Sequence, residues 1–120
     1  MQALKIGLLG GSFNPAHDGH RRISLAALRL LGLDQVWWLV SPQNPLKSQK
    51  GMAGFTERFD AAKAIARHPK IVVSDFEARI GEQRTVRTLA ALKKTYPQHK
   101  FVWLMGADNM VQLPDIPIKH

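Results

Sequence analysis

Lys5-Ile6-Gly7-Leu8-Leu9-Gly10-Gly11-Ser12-Phe13-Asn14-Pro15-Ala16-His17-Asp18-Gly19-His20 is the stretch that decides the fold. The apolar run from Lys5 to Leu9 reads as a buried strand, and Gly10-Gly11 turns the chain. From Asp18 the pattern changes: Ile23, Ala26, Ala27, Leu30 and Leu31 recur at helical spacing. Asp18 is placed to cap that helix and Gly32 to stop it. A strand running through a glycine turn into a helix opens a βαβ unit.

The rest of the chain repeats the alternation. Gln35 to Val40 is β-branched and aromatic, a second strand. Ser41 to Gly54, with two prolines and two glycines, is a loop. Thr56 to Arg67 is a helix followed by Pro69, and Ile71 to Ser74 a third strand. Thr85 to Tyr96 is a helix capped by Thr85 and ended by Pro97, and Phe101 to Met105 a fourth strand ending at Gly106. The order β-α-β-α-β-α-β with continuously apolar strands predicts an α/β fold, a Rossmann-like doubly wound parallel sheet covered on both faces. Ligands of such sheets bind beyond the carboxyl ends of the strands. The segments Gly10 to His20, Ser41 to Lys50 and Gly106 to Asn109 all fall there. Trp37, Trp38 and Trp103 lie in strands and belong to the core.

One hundred and twenty residues make one domain, and 45% hydrophobic against 22% charged residues is a globular balance. This excludes disorder and collagen-like or low-complexity scaffolds. The chain has no cysteine, which excludes a disulfide scaffold and fits a reducing compartment. No apolar run has the length of a membrane span, and Met1 to Leu9 is too short for a signal peptide. The expectation is a cytoplasmic protein with no membrane partner. The net charge of +8 calls for an anionic partner: nucleic acid, nucleotide or another phosphate. No nucleic-acid-binding motif accompanies it.

Gly10 and Gly11 let backbone N–H groups approach a phosphate, and the helix that follows adds the positive end of its dipole. His17 and His20 stand three apart at a helix start and share one face. Gly19 between them leaves room for a nucleotide. Two imidazoles there can donate to phosphate oxygens. The plainer alternatives are a metal pair or surface histidines.

The segment Gly11 to His20 resembles the H-x-G-H signature of the nucleotidyltransferase superfamily. The whole chain resembles the bacterial nicotinate-nucleotide adenylyltransferases. The likeness rests on GSFNPAHDGH at Gly11 to His20, SPQNPLK at Ser41 to Lys47, Arg58 of TERF, RTVRTL at Arg84 to Leu89, and GADN at Gly106 to Asn109. It implies joining ATP to nicotinate mononucleotide, with deamido-NAD and pyrophosphate as products. It assigns Gly10, Gly11, Ser12 and Phe13 to the phosphate-binding loop. His17 and His20 would contact ATP phosphates and the transition state. Lys47 would hold phosphates from the second loop. Gly106 and Asp108 would line the adenosine site. Ser12, Asn44, Lys47 and Thr85 would serve the acceptor nucleotide, Thr85 through backbone N–H groups at a helix start. Mg²⁺ would accompany ATP, held by phosphates and water with no protein side chain as ligand.

The chain also departs from the resemblance. It lacks the aromatic residue that usually follows the G-x-D segment and the family's C-terminal I-S-S-T-x-x-R stretch. The expectation is a domain over residues 1–113, an irregular tail over 114–120, and a C-terminal part missing. Two other readings stay open. One is a related transferase such as phosphopantetheine adenylyltransferase, in which Thr typically stands where His17 does. The other is a nucleotide-binding fragment that binds ATP without turnover.

Overall fold

The computed structural model describes residues 3–42, 54–81 and 85–106. Among these residues four strands form one parallel sheet: β1 (Lys5–Gly11), β2 (Gln35–Val40), β3 (Ile71–Ser74) and β4 (Lys100–Gly106). Their order across the sheet is β3-β2-β1-β4. The helices are α1 (Asp18–Leu30), α2 (Phe55–Ala66), α3 (Phe76–Ile80) and α4 (Thr85–Thr95). The doubly wound α/β expectation holds.

Side-chain alternation along the strands splits the core into two layers. Leu9, Val36, Trp38 and Val40 face α1 and α2, where they meet Ala27, Ala62 and Ala66. Ile6, Leu8 and Leu39 face α3 and α4, where they meet Phe76 and Leu92. Because both faces are covered, the strands read as unbroken apolar runs. Trp38 is fully buried, and Trp37 and Trp103 pack against the second layer.

α2 (Phe55–Ala66), the end of α4 at Thr95 and the start of β4 at Lys100 each shift by one residue from expectation, and other differences have physical reasons. β1 and β4 run on into their glycines, because Gly10 pairs with both Leu39 and Gly106. The cap of α1 is His17, one residue before Asp18. The Asp18 carboxylate instead receives Arg22 Nε at 2.8 Å, an exposed pair one helical turn apart. Thr85 is the first residue of α4 rather than its cap. α3 is an addition to the expected elements, its five residues being too few to show a period. Gly81, at φ 69°, ends it in the left-handed conformation that favours glycine. Gly32, at φ 62°, stands just past α1 as expected.

The order of strands places a switch at β1. The chain moves outward from β1 through β2 to β3, then returns to the other side of β1 as β4. A crevice at the carboxyl ends of β1 and β4 follows from that reversal. No helix among the described residues is long and apolar enough to cross a membrane.

Candidate functional site

The turn leaving β1 is held by its neighbours on one side. The Gly11 carbonyl accepts the Ser41 N–H at 2.8 Å. The Ser12 carbonyl accepts Arg58 Nη1 at 2.8 Å, and the same nitrogen donates to the Ser41 carbonyl at 2.9 Å. Arg58 comes from α2 and is only 2% exposed. Phe13 follows at φ 50°. Its ring is buried, stacked on Trp38 at 5.3 Å and tilted against His20 at 4.8 Å. Thus the Phe13 side chain anchors the loop in the core, and only its backbone is left to meet a ligand.

The histidines cap α1 reciprocally. His17 Nδ1 accepts the Gly19 N–H at 3.1 Å. His20 Nδ1 accepts the His17 N–H at 2.9 Å. The rings lie 4.0 Å apart, His17 exposed and His20 only 3% exposed. A neutral imidazole that accepts at Nδ1 carries its proton on Nε2. The cap therefore fixes the tautomer of both rings and makes each an Nε2–H donor. Donors of this kind, at a helix start beside a glycine turn, suit an anionic ligand.

His20 is further positioned from behind. Trp38 Nε1 donates to Ser24 Oγ at 2.7 Å, and Ser24 Oγ donates to the His20 carbonyl at 2.8 Å. This buried chain ties the first turn of α1 to β2. Ser24 was missed in the sequence. Its one signal was a hydroxyl four residues after His20 on an otherwise apolar helix face. Arg21 is also structural: its Nε donates to the Ala66 carbonyl at the end of α2.

Gly10 and Gly106 are register partners at the carboxyl end of the β1–β4 pair. A Cβ on Gly10 would lie 2.7 Å from the Trp103 ring. Glycine is thus required there first by packing. Thr85 stands at the start of α4. Behind it, the buried Glu77 of α3 accepts the Thr88 hydroxyl at 3.0 Å, which joins α3 to α4. Asn44, Lys47 and Asp108 lie outside the described residues, as does the boundary at 113. The structure therefore brings together Gly10, Gly11, Ser12, Phe13, His17, His20 and Gly106 at one end of the sheet. Among the described residues no three metal-ligating side chains come together.

The sequence profile of the cytidylyltransferase-like family matches residues 8–119. The chain belongs to the cytidylyltransferase-like family. A "Probable nicotinate-nucleotide adenylyltransferase" of Parvibaculum lavamentivorans is 65% identical over 111 residues, covering 92% of this chain and 55% of that protein. A protein of the same name from Erythrobacter litoralis is 59% identical over 107 residues, covering 89% and 49%. The chain spans about half the length of the curated relatives it matches. Among solved structures, Plasmodium falciparum nicotinic acid mononucleotide adenylyltransferase complexed with NaAD superposes with a TM-score of 0.71 at 22% identity. That alignment covers 93% of this chain and 56% of the other, and at such identity it shows a shared fold. The Rossmann-like nucleotidyltransferase fold expected from the sequence is therefore supported by the family match and by shape.

Proposed function

We propose that this chain serves adenylyl transfer from ATP to nicotinate mononucleotide, giving deamido-NAD and pyrophosphate in the cytoplasm. One observation carries the reading: the reciprocal cap that turns His17 and His20 into paired Nε2–H donors beside the β1 turn. The names of the curated relatives support the choice of reaction, and they favour it over phosphopantetheine transfer. The dinucleotide named in the Plasmodium falciparum complex is the kind of product such a site would release.

The chemistry suits donors rather than bases. The acceptor phosphate is already an anion, so its oxygen attacks the α-phosphorus without losing a proton. The new P–O bond forms as the bond from the α-phosphorus to the bridging oxygen breaks, and pyrophosphate leaves with that electron pair. The protein must bring two anions together and stabilise the charge that develops on the leaving group. In this reading the backbone of Gly10, Gly11, Ser12 and Phe13 cradles phosphates. His17 and His20 donate to the ATP phosphates, and Lys47 adds a cation from the second loop. Gly106 and Asp108 border the adenosine. Ser12, Asn44 and Thr85 seat the acceptor nucleotide. Mg²⁺ would travel with ATP and draw charge from its phosphates, held by phosphate oxygens and water. What the described loop itself offers is N–H donors.

The test is a product assay. The chain is incubated with ATP and Mg²⁺ and, separately, nicotinate mononucleotide, nicotinamide mononucleotide or phosphopantetheine, and each mixture is read by mass spectrometry. Deamido-NAD in the first mixture, absent with His17→Ala, is the expected result. ATP binding with no product from any acceptor would overturn the transfer reading and leave a nucleotide-binding chain.

A further inference from the structure

Among the described residues, buried polar groups outside the assigned site include the Glu77–Thr88 tie, the Trp38–Ser24 chain and the Arg58 guanidinium. Arg58 holds the main chain of the phosphate turn directly, whereas Trp38 meets it through the Phe13 ring. Arg58 donates to two main-chain carbonyls from different parts of the chain, those of Ser12 and Ser41. In a trans peptide the C=O and the following N–H point in opposite directions. Where a carbonyl is held, the next N–H is therefore aimed.

The rule applies twice in succession. The Gly11 carbonyl points to β2, where the Ser41 N–H holds it. The Ser12 N–H must then point to the β4 side, across the switch of the sheet. The Ser12 carbonyl points to Arg58 on α2. The Phe13 N–H must then point away from α2. Ser41 closes the arrangement, since its N–H holds Gly11 and its carbonyl shares the guanidinium with Ser12. Holding such carbonyls in the interior suits a guanidinium, which is planar, always charged and pre-organised. The Phe55 ring lies 5.6 Å from the guanidinium carbon and packs against it.

We propose that Arg58 is a positioning residue that fixes the Ser12–Phe13 peptide against the end of β2 and so aims the backbone N–H donors of the phosphate turn. This deepens the nucleotide-binding reading and rests on it. The guanidinium acts through the main chain and does not touch the nucleotide. Removing it lets that peptide rotate, and the cradle loses affinity although the histidines remain in place.

The experiment is calorimetric titration of Mg-ATP into the full chain, Arg58→Met and Arg58→Lys, with His17→Asn alongside. The expected result for Arg58→Met is binding about tenfold weaker at a stoichiometry of one, the loss of roughly one hydrogen bond to a charged group. Arg58→Lys recovers part of it. A residue that only supported the fold would lower the stoichiometry and leave the affinity of the folded fraction unchanged. Folded Arg58→Met that binds as tightly as the parent overturns the proposal and leaves the nucleotide reading standing. A parent that binds no Mg-ATP overturns both. Should Arg58→Met fail to fold, hydrogen exchange on the parent decides. Mg-ATP is expected to slow the Ser41 amide together with those of Ser12 and Phe13. Slowing at Ser12 and Phe13 with Ser41 unchanged would show that the turn is not tied to β2, against the proposal.

Discussion

The two ring nitrogens of His17 stand in different situations. Nδ1 accepts from the helix start, and Nε2–H is left as a donor on an exposed residue. The two can be separated by substitution, because asparagine is a strong cap whose shorter side chain puts no N–H where the imidazole Nε2 stands. His17→Ala is expected to lower stability by about 1 kcal/mol in urea melts. His17→Asn is expected to keep most of that stability, while Mg-ATP affinity in both falls about tenfold or more. Equal ATP affinity in His17→Asn and the parent would remove His17 from the site. Ser24→Ala poses a different question. It leaves Trp38 Nε1 buried without the acceptor it uses, and should cost about 1–3 kcal/mol. The readable part at this scale was residue type: glycines, paired histidines, a helix start. The unreadable part was the reason for each. Gly10 is glycine because an indole from β4 lies over it, a neighbour more than ninety positions away that no local pattern announces. Asp18 was expected to cap because aspartate is the better cap in isolation, but its carboxylate is taken by Arg22.

At the scale of elements, long periodic segments were legible and short ones were not. α1 could be drawn from the spacing of its apolar residues, and β2 from its β-branched and aromatic run. α3 could not, and with it went Glu77, whose buried carboxylate holds α4 through Thr88. That tie falls in the first turn of α4, which begins with Thr85. Thr88→Val is expected to lower the melting temperature by several degrees, the effect of about 1–2 kcal/mol in a domain of this size. If the tie also positions Thr85, affinity for nicotinate mononucleotide falls while that for Mg-ATP holds. A melting temperature unchanged from the parent would show that Thr88 contributes nothing there. Arg58 was visible in the sequence only as part of a likeness. That its charge is spent on two carbonyls inside the fold depends on α2 crossing behind the ends of β1 and β2, and only the assembled layers show it.

On the scale of the whole molecule, alternation of strands and helices foretold a parallel sheet with both faces covered, and composition called for an anionic partner. Alternation does not give strand order, because it is silent on which side of β1 the fourth strand returns. The order β3-β2-β1-β4 puts the switch between β1 and β4 and makes Gly10 and Gly106 neighbours. The net charge of +8 leaves a competing account, in which anions bind wherever cations crowd the surface. An open groove lined by Arg29, His68 and Lys70 over Leu25, Leu28 and Leu33 is one such place. The two accounts differ in location, so the decisive measurement is a map. Mg-ATP is titrated into ¹⁵N-labelled chain at physiological salt and amide shifts are followed residue by residue. The site described above predicts saturable shifts at Gly11, Ser12, Phe13, Gly19, His20 and Gly106. Shifts confined to Arg29, His68 and Lys70, or spread over the basic surface without saturating, would contradict it.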